Sequence, residues 1–185
     1  MRGIFPVAVV GKRTLPIILA LVLLLALTAC GGAKDTQPAG RNVVKGAGFT
    51  FDAPAGWATK TAGGATEARD DAGHAMVSAT AFTLQKPYSP AMFARAAKEL
   101  DRVAAKLAAQ SRSTLAESKT VIVDGRRIRA YRFTVNPASG PSFDERIGFV
   151  LHGKREVQLL CRAPVGAADP GGACALLYSS FRIDP

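Results

Sequence analysis

Histidine, cysteine and tryptophan are scarce in this sequence of 185 residues, which contains two, three and one of them. The hydrolase motifs G-x-S-x-G, H-E-x-x-H and S-x-x-K are absent, as is any C-x-x-C pair. Gly63-Gly64 and Gly171-Gly172 lack the Lys-Ser/Thr partner of a phosphate-binding loop. His74 and His152 are the only side chains suited by type to act as a base at neutral pH. We therefore expect no catalytic residue, no cofactor and no enzyme; the alternative is a cell-envelope hydrolase without a recognisable motif.

Clustered metal-ligand residues are equally sparse. The only concentration of acids near a histidine is in residues 61–74, which contain Glu67, Asp70, Asp71 and His74. Their spacing matches no metal-ligand pattern, and no regular element holds their geometry. We interpret residues 61–73 as a solvated loop and expect no metal site.

Acidic residues are fewer than basic ones, 14 against 24, so the formal charge is +10. Removing a leader that contains Arg2, Lys12 and Arg13 lowers it from +10 to +7. A basic protein suits anionic lipid head groups, wall polymers or acidic partners. The alternative is that the charge serves only solubility. Nucleic acid is not expected as a partner, because no aromatic residues are interleaved with the basic ones.

Long apolar runs are limited to one, at residues 15–27, which is shorter than the roughly 20 residues of a spanning helix. It follows a basic segment and ends in Leu27-Thr28-Ala29-Cys30. These residues resemble the bacterial lipobox Leu-[Ala/Ser/Thr/Val]-[Gly/Ala]-Cys at every position. The resemblance implies a signal peptide cleaved before Cys30 and a diacylglyceryl group on the Cys30 sulfur. The alternative is an uncleaved membrane anchor with an incidental cysteine.

This interpretation divides the chain into three parts. Residues 1–29 are the signal peptide, residues 30–46 the lipidated cysteine and a flexible tether rich in Gly and polar residues, and residues 47–185 a single domain. The protein is then expected on the extracytoplasmic face of the cell membrane, held there through Cys30.

Lipidation of Cys30 would leave an even number of cysteines, Cys161 and Cys174, in an oxidising compartment. Cys161 alternates with Val157 and Leu159 on a predicted strand, so it points inward. Cys174 belongs to the apolar face of a predicted terminal helix with Leu177, Tyr178 and Phe181. We predict a disulfide that joins this helix to the sheet, contributing about 3 kcal/mol by the chain-entropy estimate. The alternative is two reduced core thiols.

Hydrophobic periodicity predicts the elements of the domain. Alternation favours strands over residues 48–54 and 75–84, and a 3.6-residue period favours a helix from Pro90, capped by Ser89, to about Gln110. The predicted apolar stripe of that helix consists of Phe93, Ala97, Leu100, Ala104 and Leu107.

Two hairpins follow the helix. One joins residues 120–123 to 126–135 through Asp124-Gly125, and the other joins residues 143–152 to 155–163 through Gly153-Lys154. Asp169 and Pro170 then begin the terminal helix. The fold class is α+β: a mostly antiparallel sheet of about six strands flanked by one long central helix and a C-terminal helix.

The order of elements resembles the PsbP-like superfamily. The matching residues are Phe49-x-Phe51-x-x-Pro54-x-Gly56-Trp57, followed by one long helix, a run of antiparallel strands, and a terminal helix ending in Ser180-Phe181. The resemblance covers roughly residues 46–185. It implies an antiparallel sheet between helices and a non-catalytic role in assembly or partner binding, and it transfers no functional residue.

Arginines concentrate on the predicted strands between residues 126 and 162. Guanidinium groups suit bidentate recognition of phosphate or carboxylate. Arg126, Arg132, Arg146 and Arg155 are the candidate anionic-ligand patch; the alternative is a solvated sheet face with cross-strand ion pairs. We therefore expect a membrane-anchored binding or assembly module for an envelope protein or an anionic ligand.

Overall fold

The computed structural model describes residues 40–167 and 169–184; the predicted signal peptide, Cys30 and most of the predicted tether lie outside the described residues. The helices are α1 (Phe93–Gln110) and α2 (Ala173–Ser180), each preceded by a 3-10 turn, Pro90–Met92 and Pro170–Gly172. The strands are β1 (Arg41–Gly46), β2 (Phe49–Pro54), β3 (Ala58–Ala62), β4 (Ala65–Arg69), β5 (Met76–Tyr88), β6 (Ser113–Val123), β7 (Arg126–Val135), β8 (Phe143–Pro164) and β9 (Arg182–Ile183).

The predicted α+β class is confirmed. Strands in the order β3-β4-β5-β8-β7-β6 form a six-stranded sheet, and β1-β2-β9 form a smaller second sheet; every pairing is antiparallel. Neither helix of the described residues is long and apolar enough to cross a membrane.

Strand β8 folds back on itself. Its 22 residues would span about 70 Å if they were straight. Instead, Arg162 Nη2 lies 2.6 Å from Glu145 Oε1, and Val165 N donates to the Ser142 carbonyl at 3.1 Å. The first arm pairs with β7 and the second with β5. The fold-back lies at Gly153, whose φ is 54°, which confirms the predicted hairpin there.

The two turns differ in type, as their sequences require. Asp124 and Gly125 both have positive φ, 50° and 69°, the pattern of a type I′ turn. At Gly153-Lys154 only the glycine has positive φ, as in a type II′ turn. The predicted Asp124-Gly125 hairpin is thus confirmed as β6–β7.

The predicted loop at residues 61–73 is wrong, because β3 and β4 form a hairpin there. Gly63 and Gly64 make its two-residue turn, with φ of 59° and 81°. Every residue of β3 is exposed, and its Ala, Thr and Lys side chains carry no apolar alternation. An edge strand of this kind is held by its backbone hydrogen bonds, so hydrophobic periodicity does not reveal it.

The predicted boundary of the tether at residue 46 is also wrong. Residues 41–46 form β1, which pairs with β2 through the turn Ala47-Gly48. Val44 is buried, while Val43 is 61% exposed. The ordered domain therefore begins before residue 47, at a strand that contributes one side chain to the core.

Two apolar clusters cover the two faces of the six-stranded sheet. The larger lies between it, the small sheet and α2, and includes Phe49, Phe51 and Phe181. The smaller lies under α1 and consists of Ala104, Tyr131, Phe133 and Phe149. The predicted helix is confirmed, although residues 90–92 form a 3-10 turn and the Ser89 side chain makes no capping hydrogen bond. Leu107 of the predicted stripe is 41% exposed. Ala108 packs against the smaller cluster in its place, so the buried stripe is rotated slightly around the helix axis.

The predicted disulfide is confirmed. Cys161 on β8 and Cys174 on α2 are bonded, with their Cα atoms 5.5 Å apart. Both cysteines are buried, as predicted from the two apolar faces. The bond holds the first turn of α2 against the sheet.

Asp169 caps α2, as predicted. Its Oδ1 accepts a hydrogen bond from Cys174 N at 2.8 Å, and its Oδ2 accepts one from Ala175 N at 2.9 Å. Asp169→Ala leaves both donors without this partner. We therefore expect the free energy of unfolding, measured by urea denaturation under oxidising conditions, to fall by about 1 kcal/mol. Asp71→Ala, in an exposed turn, is the control and should cost less than about 0.5 kcal/mol. Equal losses would contradict the capping role.

Candidate anion-binding cleft

The four arginines of the predicted patch lie on one face of the six-stranded sheet, two at each end of the strands. Arg126 and Arg132 share a face of β7, and Arg132 lies directly opposite Arg146 on β8. Six residues of strand place Arg126 about 20 Å from Arg132. Arg155 reaches the β1–β2 turn at Gly48. The buried middle of the sheet separates the two ends, so the structure brings together only Arg132 and Arg146.

Arg126 and Arg155 have partners within the domain. Arg126 pairs with the Asp124 carboxylate and its Nη1 donates to the Asp124 carbonyl at 2.7 Å. Arg155 Nη1 donates to the Gly48 carbonyl at 2.8 Å. Both guanidinium groups therefore stabilise turns, which leaves fewer donors for a ligand.

Arg132 and Arg146 differ from most arginines of the domain. No ion pair involves either of them in residues 40–167 and 169–184. Two like charges directly opposite each other on adjacent strands are destabilising. The domain thus holds two neighbouring positive charges that form no ion pair within its described residues.

The nearby carboxylates are engaged elsewhere. Asp144 Oδ1 accepts a hydrogen bond from Thr134 Oγ1 at 2.8 Å, and Glu145 pairs with Arg162. Glu117, opposite Arg132 on β6, pairs with Lys119 at 3.0 Å, and the hydrogen bond from Lys119 lowers the pKa of Glu117. None of these acids forms an ion pair with Arg132 or Arg146, although the charges of both arginines also contribute to the lowered pKa of Glu117.

A cavity of about 140 Å³ opens beside the arginine pair. Its lining includes Trp57, both disulfide cysteines and apolar residues from the start of β5, the end of β8 and the segment that leads into α2. Arg146 Nη1 lies 3.6 Å from the Cys174 sulfur, so the guanidinium rests against the disulfide. Trp57 is half-buried and also packs against the larger core cluster. We call this cavity, with Arg132 and Arg146, the arginine cleft.

The ionisable lining of the arginine cleft is balanced overall. Three arginines line it, and three acids: Arg132, Arg146, Arg162, Asp144, Glu145 and Asp169. The three acids already accept hydrogen bonds from within the domain. The available groups are therefore the two guanidinium groups of the pair, which are hydrogen-bond donors only.

Sequence reasoning missed Tyr178 as a neighbour of this cleft. Its hydroxyl is buried and has no hydrogen-bond partner within the described part of the chain. Burial raises the pKa of Tyr178, so the hydroxyl stays protonated near neutral pH. It lies over Gly148: a Cβ atom there would be 2.7 Å from the hydroxyl oxygen. The only signal in the sequence for this position is that Tyr178 shares a face of the predicted helix with Cys174.

Neither histidine lines the arginine cleft. His74 is on an exposed turn. His152 lines two cavities, of about 570 and 240 Å³, that adjoin the β8 turn. The larger of these holds one acid, Asp184, and no serine, and the smaller holds neither.

The residues considered above for metal binding are also dispersed. Glu67 pairs with Arg69 at 2.9 Å, and Asp70 Oδ1 accepts a hydrogen bond from Ala75 N at 3.1 Å. Over the described ranges no three His, Cys, Asp or Glu residues are grouped so as to hold a metal ion.

Comparison with known proteins defines the fold. No protein-family model matches the sequence, and no curated protein matches it significantly. A crystal structure from Bacteroides thetaiotaomicron VPI-5482 has 13% identity and a TM-score of 0.57, covering 80% of this chain and 49% of that one. The chain thus spans about half the length of the Bacteroides protein.

A second similar structure is the solution structure of cyanobacterial PsbP (CyanoP) from Synechocystis sp. PCC 6803. It has 12% identity and a TM-score of 0.52, and the match covers 85% of this chain and 98% of CyanoP. The chain therefore has a PsbP-like fold, as the sequence resemblance predicted. Likeness at these identities establishes the fold alone.

Proposed function

We propose that this protein is a lipid-anchored extracytoplasmic binding module that recognises an anionic group, without catalysis, in the arginine cleft. The group belongs to a small ligand or to an envelope partner. The observation that carries the proposal is the Arg132–Arg146 pair, two adjacent positive charges without an ion-pair partner in the described residues, beside an open cavity. A bound anion would offset their mutual repulsion, which gives it a direct source of affinity.

The anchoring part of the proposal is supported by sequence. Leu27-Thr28-Ala29-Cys30 resembles a lipobox at every position, and it accounts for the cysteine left over by the Cys161–Cys174 disulfide. A disulfide is favoured outside the cytoplasm. Acylation at Cys30 would hold the domain beside the membrane through the residues that precede β1.

The composition of the cleft supports a monoanion with an apolar body. The balanced composition of its lining disfavours a group with two or more negative charges, because Asp144, Glu145 and Asp169 line the same cavity as the arginines. Trp57 and the small apolar wall residues offer surface to a hydrocarbon part. A carboxylate at the end of an apolar chain or peptide satisfies both conditions, and the cavity accommodates its head group.

The test is binding of hexanoate, with acetate and inorganic phosphate for comparison, by isothermal titration calorimetry. We expect hexanoate to bind the wild-type domain more tightly than either of the other two. Arg132→Gln and Arg146→Gln together should weaken hexanoate binding by about a hundredfold, because each removes a charge-assisted hydrogen bond. Arg95→Gln, on the exposed side of α1, is the control for loss of a positive charge outside the cleft and should change affinity less than twofold.

Two outcomes would contradict this proposal. One is an equal effect of Arg95→Gln, which would indicate a non-specific charge effect. The other combines two results. None of the three probes binds the wild-type domain, and crosslinking in intact cells recovers the same partners from the wild type and from the variant that carries both Arg132→Gln and Arg146→Gln.

A further inference from the structure

We propose that Cys174 is a reactive thiol site, and that opening the disulfide with a dithiol turns Arg146 away from the anion and toward the Cys174 sulfur. The first half concerns the disulfide alone. The second half rests on the proposed function, because it assigns a redox dependence to the arginine cleft.

The two cysteines of the bond have different electrostatic surroundings. Arg146 Nη1 is 3.6 Å from the sulfur of Cys174, and it is the one charged group in hydrogen-bond contact with either sulfur in the described residues. Cys161 lies in the middle of the sheet opposite Val77. A thiolate is therefore favoured at Cys174 over Cys161.

Other charges near Cys174 do not reverse this preference. Asp169 opposes a thiolate, but its carboxylate is bonded to the backbone N–H groups of Cys174 and Ala175 and not to the sulfur, which Arg146 contacts directly. Asp144 is bonded to Thr134, and Glu145 is paired with Arg162. Arg132 adds a second positive charge beside Arg146, and the protonated Tyr178 hydroxyl carries none.

The chemistry balances with one dithiol reductant. One thiolate of the reductant attacks the Cys161 sulfur, the S–S bond breaks, and Cys174 leaves as the thiolate. The second thiol of the reductant then attacks the mixed disulfide and releases Cys161, which takes up a proton. The reductant becomes a disulfide, two electrons pass to the cysteines, and one proton is released to solvent for the Cys174 thiolate.

The Cys174 thiolate would compete with the ligand for Arg146. In the disulfide, the sulfur is a weak acceptor and leaves the guanidinium available. In the reduced form, the thiolate is a full charge in contact with the same guanidinium. Anion binding is then expected to be strong in the oxidised protein and weak in the reduced protein.

Cys161→Ser and Cys174→Ser test this with a built-in control, because both remove the same cross-link and differ only in which thiol remains. Alkylation by iodoacetamide as a function of pH reports deprotonation. The thiol that remains in Cys161→Ser is Cys174. We expect its alkylation to have a midpoint at least about one pH unit below that of Cys161 in Cys174→Ser. We expect hexanoate affinity to fall about tenfold in Cys161→Ser and less than twofold in Cys174→Ser at pH 8.

Circular dichroism establishes that both variants fold. If either variant does not fold, the wild-type protein is used instead: it is reduced with a dithiol and briefly alkylated at pH 7. Peptide mapping should then find Cys174 labelled before Cys161. Equal pH profiles, or Cys161 labelled first, would overturn the reactive site, whether or not hexanoate binds. Different profiles with unchanged hexanoate affinity in Cys161→Ser would overturn the competition for Arg146. Failure of hexanoate to bind the wild type would count against the proposed function and the competition for Arg146, while the pH profiles would still decide the reactive site.

Discussion

Phe49→Ala is expected to lower the free energy of unfolding by about 3–5 kcal/mol. The Phe49 side chain is fully buried, and its ring centroid lies 6.3 Å from that of Phe51 and 6.0 Å from that of Phe181. These contacts join the small sheet to the end of α2. Truncation removes apolar burial and leaves a cavity where these elements meet, and rigid neighbours cannot collapse to fill it. Urea denaturation followed by tryptophan fluorescence measures the loss.

Val43→Ala is the matched control, since Val43 is in the adjacent strand of the same sheet but 61% exposed. It should cost less than about 0.5 kcal/mol. Any folded fraction of Phe49→Ala should keep the oxidised Cys161–Cys174 bond. A cost below about 1 kcal/mol for Phe49→Ala would show that the small sheet contributes little to stability.

Much of this architecture could be predicted because its determinants are local. Phe49 and Phe51 alternate, and both are buried. Asp124-Gly125 supplies two residues that tolerate positive φ, which defines the β6–β7 turn. Cys161 and Cys174 each belong to an apolar face that periodicity identifies, so their proximity follows from helix packing on a sheet. In each case a signal of a few residues specifies one element.

The missed strands lack such a signal. β3 is exposed throughout, and only one side chain of β1, Val44, is buried. Both lie at sheet edges, where backbone pairing to a neighbour already in place is sufficient. The glycines of Gly63-Gly64 were consistent with a hairpin, but the flanking Ala and Thr residues gave no alternation to support one.

The arginine cleft could be predicted only in part. The sequence identifies arginines on strands, but which of them remain unpaired depends on strand register. Arg126 and Arg132 look alike in sequence, yet Asp124 lies beside one and a second arginine beside the other. Tyr178 comes near Arg146 because α2 returns across the sheet, and no local pattern encodes that contact.

The disulfide connects stability to the proposed site. It holds α2 on the sheet, and its Cys174 sulfur is the surface against which Arg146 rests. The same bond therefore contributes to the wall of the cavity and contacts one of the two arginines proposed to bind the anion.

Cys30→Ala is expected to abolish membrane attachment of the processed protein. Cys30 lies outside the described residues, and its role is predicted from the lipobox resemblance. Without its thiol no thioether to diacylglycerol forms, and the two acyl chains that make anchoring stable are lost, at about 0.8 kcal/mol for each buried methylene. Fractionation should move the protein from membrane to soluble fractions. Intact mass analysis of the wild type should find a chain that begins at a diacylglyceryl-modified Cys30.

Thr28→Ser is the matched control for this change, because serine is also accepted at that position of the lipobox. It should leave both fractionation and lipid mass unchanged. A Cys30→Ala protein that stays in the membrane fraction, together with a wild-type mass that lacks the lipid, would contradict the anchor. The proposed partner would then no longer be restricted to the cell envelope, because only the predicted lipidation of Cys30 places the protein there. The binding tests on the isolated domain do not depend on it, so anchoring and recognition are decided separately.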